Sequence, residues 1–315
     1  PGARMSFMHP VKSRYAIERA YFDFGVRTFV FDCDVELQKI LQVTGHAKDL
    51  NLVLRVAVSN QGAEMPIDGK FGAFHYDVPH LLRAARPVSA KLGLCFHPGS
   101  QCMDPYAWAV HMDTLSRVIS ESDVDVDIID VGGGFPVSYP GKEPTALERF
   151  PVVIQEAFDR MPLARDAELW CEPGRALVAE GTSLLTQVDL VRGNAVYIND
   201  GAFGTLYDAA HCKWPFPTRL IRNDSEPSSR LKAFKLFGPT CDSADVINGP
   251  IFLPEDIREG DIIEVGTLGA YGVAMQTRFN GYGETIDAVA LDTPWQSVYA
   301  PRKVEVAKID WFSTI

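Results

Sequence analysis

Short apolar runs alternate with amphipathic segments through the first half of the chain. Met5–Met8, Thr28–Phe31, Leu52–Val58, Leu92–Phe96, Val126–Val131 and Glu168–Cys171 have the length and apolar density of buried strands. Between them, apolar residues recur at helical spacing over Ser13–Phe24 (stopped at Gly25), Val35–Val43, Pro79–Ala85, Tyr106–Ser120 and Val152–Arg160. Strands joined by crossovers of this length pair in parallel. A spacing of about 30 residues per strand–helix unit is that of an eightfold β/α barrel. Six units are present: a doubly wound sheet accommodates six, whereas a barrel is two units short.

After Gly181 the pattern changes. Ser183–Val191, Ala195–Ile198, Leu231–Phe237, Ile262–Val265 and Met275–Phe279 predict strands, with almost no helical pattern between them. Pro215, Pro217, Pro227, Pro239, Pro250 and Pro254 punctuate this half. The expected organisation is an α/β domain over residues 1–181 and a mainly antiparallel β domain, a sandwich or small barrel, over 182–315. The tail Thr293–Ile315, with Trp295, Tyr299, Trp311 and Phe312, is too apolar for a disordered tail and is expected to pack on something.

Composition narrows the function classes. A formal net charge of −11 and a pI near 5.1 argue against nucleic-acid and anionic-membrane partners. No apolar run has the length of a membrane span. The cysteines Cys33, Cys95, Cys102, Cys171, Cys212 and Cys241 contain no C-x-x-C pair, so reduced thiols of a cytoplasmic protein are expected, with no disulfide frame and no metal site.

Ligands of parallel α/β domains collect at the carboxyl ends of the strands. The fourth strand ends Cys95-Phe96-His97-Pro98-Gly99-Ser100, the fifth Val131-Gly132-Gly133-Gly134-Phe135-Pro136, and the sixth Cys171-Glu172-Pro173-Gly174-Arg175. Each has a plain explanation by itself. Three glycines make a tight turn, a lone histidine is commonly structural, and Glu172 with Arg175 at i,i+3 spacing can be a surface ion pair. Their arrival at successive strand ends is harder to dismiss. Backbone N–H groups and a guanidinium suit a phosphate, a carboxylate keeps a ring nitrogen protonated, and an imidazole stacks on a ring. Together they suit a phosphorylated heteroaromatic electron sink.

The chain resembles the fold-type III decarboxylases that use pyridoxal phosphate, in their ornithine/lysine branch. The matching stretches are Phe96-His97-Pro98-Gly99-Ser100-Gln101, Gly132-Gly133-Gly134-Phe135-Pro136 and Glu172-Pro173-Gly174-Arg175. Further on come Asn199-Asp200-Gly201, Tyr207-Asp208-Ala209-Ala210-His211, Gly238-Pro239-Thr240-Cys241-Asp242-Ser243, Gly269-Ala270-Tyr271 and Phe279-Asn280-Gly281. The resemblance implies a cofactor-binding (β/α)8 barrel, here lacking its first two β/α units, followed by an antiparallel β domain. It implies pyridoxal 5'-phosphate held by Ser100, Gly132, Gly133, Gly134, Gly174, Arg175 and Tyr271, with Glu172 at the pyridine nitrogen, His97 stacked on the ring and Arg55 near the ring hydroxyl. It also implies a homodimer in which Cys241, a proton donor, and Asp242 reach the partner's site, and a substrate seat at Tyr207, Asp208 and Asp242 for the distal amine of ornithine or lysine. The products would be putrescine or cadaverine, in polyamine biosynthesis. The family's Schiff-base lysine lies on the first barrel strand, and Lys12, Lys48, Lys70 and Lys91 do not stand in its context, so a piece of a longer enzyme is expected. An arginine or diaminopimelate decarboxylase of the same fold remains open, as does a non-catalytic relative that binds partners.

Overall fold

A computed structural model describes residues 3–291 apart from Gln61, Asp68 and Lys213. The expected packing of Thr293–Ile315 lies outside the described residues. Strands β1 (Ser6–Phe7), β2 (Thr28–Phe31), β3 (Asn51–Arg55), β5 (Lys91–Cys95), β7 (Ile128–Asp130) and β8 (Glu168–Trp170) form one all-parallel sheet in that order. Two shorter strands, β4 (Ala63–Met65) and β6 (Ser100–Cys102), join the loops after β3 and β5 in an antiparallel pair. Helices α1 (Arg14–Glu18), α2 (Asp34–Val43), α3 (Val78–Ala85), α4 (Tyr106–Ser122) and α5 (Arg149–Phe158) connect the parallel strands.

The side on which the helices lie settles the architecture. Alternate residues of a strand face opposite sides of its sheet. Phe29, Phe31, Leu52, Leu54, Leu92, Leu94 and Ile129 pack with Ile17, Leu37, Ile40, Leu82, Leu115 and Ile154 of the five helices in a single core. Each such buried side chain contributes about 1.5–3 kcal/mol relative to exposure. Val30, Val53 and Cys95, with Met8, make a separate small layer on the opposite face. All five helices cover one face, which is barrel geometry, since a doubly wound sheet carries helices on both. The sheet is the arc of a barrel.

Local signals set most boundaries. Ser13 caps α1, its Oγ accepting from the Ala16 N–H at 3.1 Å. The helix expected over Ser13–Phe24 is not uniform, because after Glu18 it widens into a π turn over Arg19–Asp23 before Gly25 ends it at φ +68°.

After the short helix α6 (Arg175–Val178), strands β9 (Leu184–Arg192), β10 (Ala195–Ile198), β11 (Thr218–Ile221), β12 (Leu231–Phe237), β13 (Val246–Pro254) and β14 (Ile262–Val265) form a six-stranded sheet in the order β11-β14-β9-β10-β12-β13. Its pairs are antiparallel except β10–β12. A helix, α7 (Tyr207–His211), is inserted between β10 and β11. The strand expected over Met275–Phe279 is absent. Two 3₁₀ turns, Val273–Met275 and Phe279–Gly281, occupy that stretch, with Asn280 at φ +54°. Its apolar residues have no face to bury: Met275 is 37% and Phe279 44% exposed.

The core of this sheet takes in residues from the barrel half of the chain. Val137 and Tyr139, on the loop after β7, pack with Val188, Val196, Phe216, Phe234 and Ile263. The loop that follows the three glycines is therefore anchored in the second core. Among the described residues, no helix is long and apolar enough to cross a membrane.

Candidate active site

Sheet register places a row of polar side chains at the carboxyl edge of the arc. Arg55 lies opposite Cys95, and Cys95 opposite Asp130. By strand alternation all three share the inner face with Val53 and Val30. The Arg55 guanidinium is close enough to the Cys95 thiol to favour its ionised form. Asp130 is buried and its Oδ1 accepts the Gly132 N–H at 2.8 Å. Burial pushes the Cys95 thiol and the Asp130 carboxyl up, and the Arg55 charge opposes both shifts.

His97 and Glu172 lie within reach of the charges in this row. Burial, followed by the nearby charge of Asp130, raises Glu172 to about 7, with Arg55 pulling the other way. Burial, then Arg55, lowers His97 to about 4, so its ring is neutral near pH 7. Its Nδ1 accepts the Gly99 N–H at 3.1 Å, which assigns the ring proton to Nε2. A neutral ring can stack on a cationic one without repulsion.

The glycines explain how these groups come together. A Cβ on Gly133 would stand 2.7 Å from the Glu172 carbonyl oxygen and 3.0 Å from His97 Nε2, so one bare peptide separates the imidazole from the Glu172 main chain. Gly132, at φ +68°, and Gly134, at φ +92°, would drive a Cβ to 2.1 Å from Phe96 O and 2.3 Å from Gly99 O. Three loops close on one another here, and only glycine fits between them. The tight-turn explanation is thus correct for Gly132 and Gly134. Gly132 departs from the expected anion cradle, because its N–H already donates to Asp130. The N–H groups of Gly133 and Gly134 have no partner among the described residues.

Arg175 opens α6 and is buried. Its Nη1 donates to Asp208 Oδ2 at 2.6 Å and to the Tyr139 hydroxyl at 2.7 Å, and its guanidinium lies 5.0 Å from the centre of the Tyr271 ring. Nε, by contrast, is buried without a partner. Asp208, expected at the substrate's distal amine, and Arg175, expected at the phosphate, are therefore paired with each other. Tyr271 is held at φ +56°, an uncommon conformation for a residue with a side chain, beside that guanidinium.

The remaining expected residues lie further out. Ser100 begins β6 and pairs with Met65 of β4. Gly174 has open space where a Cβ would go, so sterics do not demand glycine there. Tyr207 stacks on His211 at 4.2 Å rather than on Arg175. Cys241 and Asp242 sit on an exposed loop, where Cys241 Sγ lies 3.6 Å from Asn280 Oδ1 and Asp242 accepts the Ala244 N–H. No described contact links either of them to His97, Glu172 or Arg175 in the same chain. Lys12 is buried, with Nζ bonded to Val30 O at 2.6 Å and paired with Glu36 at 2.9 Å, a structural role. Cys95, Asp130 and Tyr139 were not among the expected site residues. Tyr139 carries no motif, and only its packing brings it to Arg175.

A barrel arc whose strand ends converge on unpaired buried N–H donors, a carboxyl group and a flat neutral ring defines a class: a cofactor-binding α/β barrel with an anion seat. The pyridoxal-dependent decarboxylase family, pyridoxal binding domain, matches residues 1–179. The chain belongs to this family. It is similar to the lysine/ornithine decarboxylase of Selenomonas ruminantium, 29% identical over 96% of this chain and 76% of that protein. Antizyme inhibitor 2 of Xenopus laevis is 30% identical over 90% of this chain and 65% of its own length. The arginine decarboxylase of Paramecium bursaria Chlorella virus superposes with a TM-score of 0.76 at 27% identity, covering 88% of this chain and 75% of that structure. The chain therefore spans between about two thirds and three quarters of the proteins it matches.

The donor set fits pyridoxal phosphate. The unpaired Nε of Arg175 and the N–H groups of Gly133 and Gly134 are buried or partly buried donors that an anion would satisfy.

Proposed function

We propose that this chain supplies the cofactor and substrate seats of a pyridoxal phosphate-dependent decarboxylase that converts a basic L-amino acid, ornithine or lysine, to its diamine, putrescine or cadaverine. The observation that carries the reading is Gly133, a bare peptide with a free N–H wedged between His97 and Glu172. When bound, the cofactor supplies a cationic ring that accepts the electron pair released as the carboxylate leaves. Glu172 holds a proton at the ring nitrogen. His97 packs its neutral imidazole against the ring face. Gly133, Gly134 and Arg175 Nε take the phosphate, with Ser100 and Tyr271 beside them, and Arg55 lies toward the ring hydroxyl.

Asp208 is the acceptor for the substrate's distal ammonium, a carboxylate that an uncharged tail would leave without that partner. Cys241, as proton donor to the α-carbon, and Asp242 act across a homodimer interface, consistent with their exposure and with the lack of a described contact to this chain's own site residues. The protein is cytoplasmic and serves polyamine biosynthesis in this reading. Its two units divide near residue 181, in keeping with the two separate hydrophobic cores. The test is carbon dioxide release by the full-length protein from a panel of basic amino acids. Ornithine or lysine should be the best substrate, and inactivity on both refutes the reading.

Two other readings have specific support. The likeness to a viral arginine decarboxylase favours arginine as substrate, and diaminopimelate is the further same-fold alternative; the same panel separates them. The likeness to an antizyme inhibitor favours a partner-binding protein without catalysis. Such a protein would develop no visible colour with pyridoxal phosphate.

A further inference from the structure

The guanidinium of Arg175 is fixed on one side and bare on the other. Asp208 and the Tyr139 hydroxyl hold Nη1, and Asp208 Oδ1 at 3.4 Å with Met65 Sδ at 3.8 Å flanks Nη2. Nε alone is buried and unpaired. Tyr139 is built to hold this arrangement. It is 1% exposed, its ring lies 4.8 Å from Phe216 and 5.5 Å from Trp214, and it stands five residues beyond Gly134. Its backbone is fixed as well, by reciprocal bonds with Lys142 at 2.8 and 3.0 Å.

We propose that Tyr139 is a positioning residue for cofactor binding: its hydroxyl and Asp208 together clamp the Nη edge of Arg175, leaving Nε as the edge offered to the cofactor's phosphate. The inference deepens the proposed function and rests on it. Tyr139 itself touches no phosphate. It acts by restricting the rotation of a long side chain that Asp208 alone could hold in more than one pose, and so reduces the ordering cost of binding. The same residue ties the loop after the glycines to the second core, so the two halves of the anion seat, peptide and guanidinium, keep a fixed separation.

The test is a titration of full-length apoprotein with pyridoxal phosphate, followed by visible absorbance, for the wild type, Tyr139→Phe, Arg175→Lys and the double variant. Phenylalanine keeps the ring packing and removes only the hydroxyl. Tyr139→Phe should weaken cofactor affinity by about tenfold, the order expected for losing a hydrogen bond to a charged group. In the Arg175→Lys background the same change should have little further effect, because the group that Tyr139 positions is gone. A purely structural role would instead lower the melting temperature of the apoprotein by the same amount in both backgrounds and leave cofactor affinity unchanged. Wild-type affinity in Tyr139→Phe, or equal losses in both backgrounds, overturns the inference alone. A wild type that binds no cofactor overturns the proposed function as well.

Discussion

Arg175 and Asp208, 33 residues apart in sequence, form a buried ion pair with Nη1 to Oδ2 at 2.6 Å and both side chains 4% exposed. The pair joins the start of α6 to α7, and it joins the two ends of the proposed site. Burial opposes the charge on Arg175, and the Asp208 bond more than offsets it. Removing one partner of such a pair leaves an uncompensated charge, at a cost of about 3–5 kcal/mol.

Asp208→Asn should therefore lower the melting temperature of the apoprotein by several degrees, and inorganic phosphate should recover part of the loss by pairing with Arg175. In the same variant, KM for ornithine or lysine should rise by about tenfold or more, exceeding the loss of cofactor affinity that follows from releasing one side of the Arg175 clamp. Thermal unfolding with and without phosphate, together with steady-state kinetics, reads all of these. An unchanged KM removes Asp208 from the substrate seat.

Glu172 makes stability depend on pH. Its folded value of about 7 lies above the ordinary carboxyl value of 4.5, so between these the folded protein binds more protons than the unfolded chain. Its contribution is fully present below pH 4.5 and is lost as pH rises through 7, by about 1–3 kcal/mol. Glu172→Gln should consequently stabilise the apoprotein at pH 8 relative to pH 5, and should severely reduce turnover. Equal melting shifts at both pH values contradict the assigned environment, and near-normal turnover contradicts the assigned role.

His97 works in the opposite direction. With a folded value of about 4 against 6.5, it contributes stability above pH 6.5 that is lost as pH falls through 4. A His97→Gln apoprotein should melt closer to the wild type at pH 5 than at pH 7.5. Cofactor affinity should fall in the variant at both pH values, as the stacked ring is removed.

The glycines separate a steric demand from a motif. Gly133→Ala places a methyl 2.7 Å from Glu172 O and should abolish cofactor binding. Gly174→Ala, with nothing within 4 Å of the new methyl and φ at −110°, should leave the apoprotein's melting temperature within about a degree of wild type. Equal behaviour of the two variants would show that the close approach of the loops is not what requires Gly133.

The parallel strands could be read because residues such as Phe29, Val30 and Phe31 are apolar on both faces, as only a doubly covered strand requires. The same property hid the architecture: a strand buried on both sides does not say which side carries helices. Thr218–Ile221 and Val246–Pro254 escaped notice because Pro217, Gly249 and Pro250 interrupt their apolar pattern. Met275–Phe279 has that pattern but is flanked by Gly272, Gly281 and Gly283, and the turns prevailed. At the site, strand-end position was enough to single out His97, Gly133 and Glu172 as candidates that lie side by side in the fold. The Tyr139–Arg175–Asp208 cluster was hidden because no local spacing encodes a contact between a loop, a helix start and a second short helix inserted between β10 and β11.

The most direct test of the central claim is a titration of the full-length protein with pyridoxal phosphate, read as visible absorbance, in the wild type and Gly133→Ala. A saturable coloured complex in the wild type that is lost in Gly133→Ala is the predicted result. A colourless wild type, or colour unaffected by the methyl group between His97 and Glu172, would contradict it.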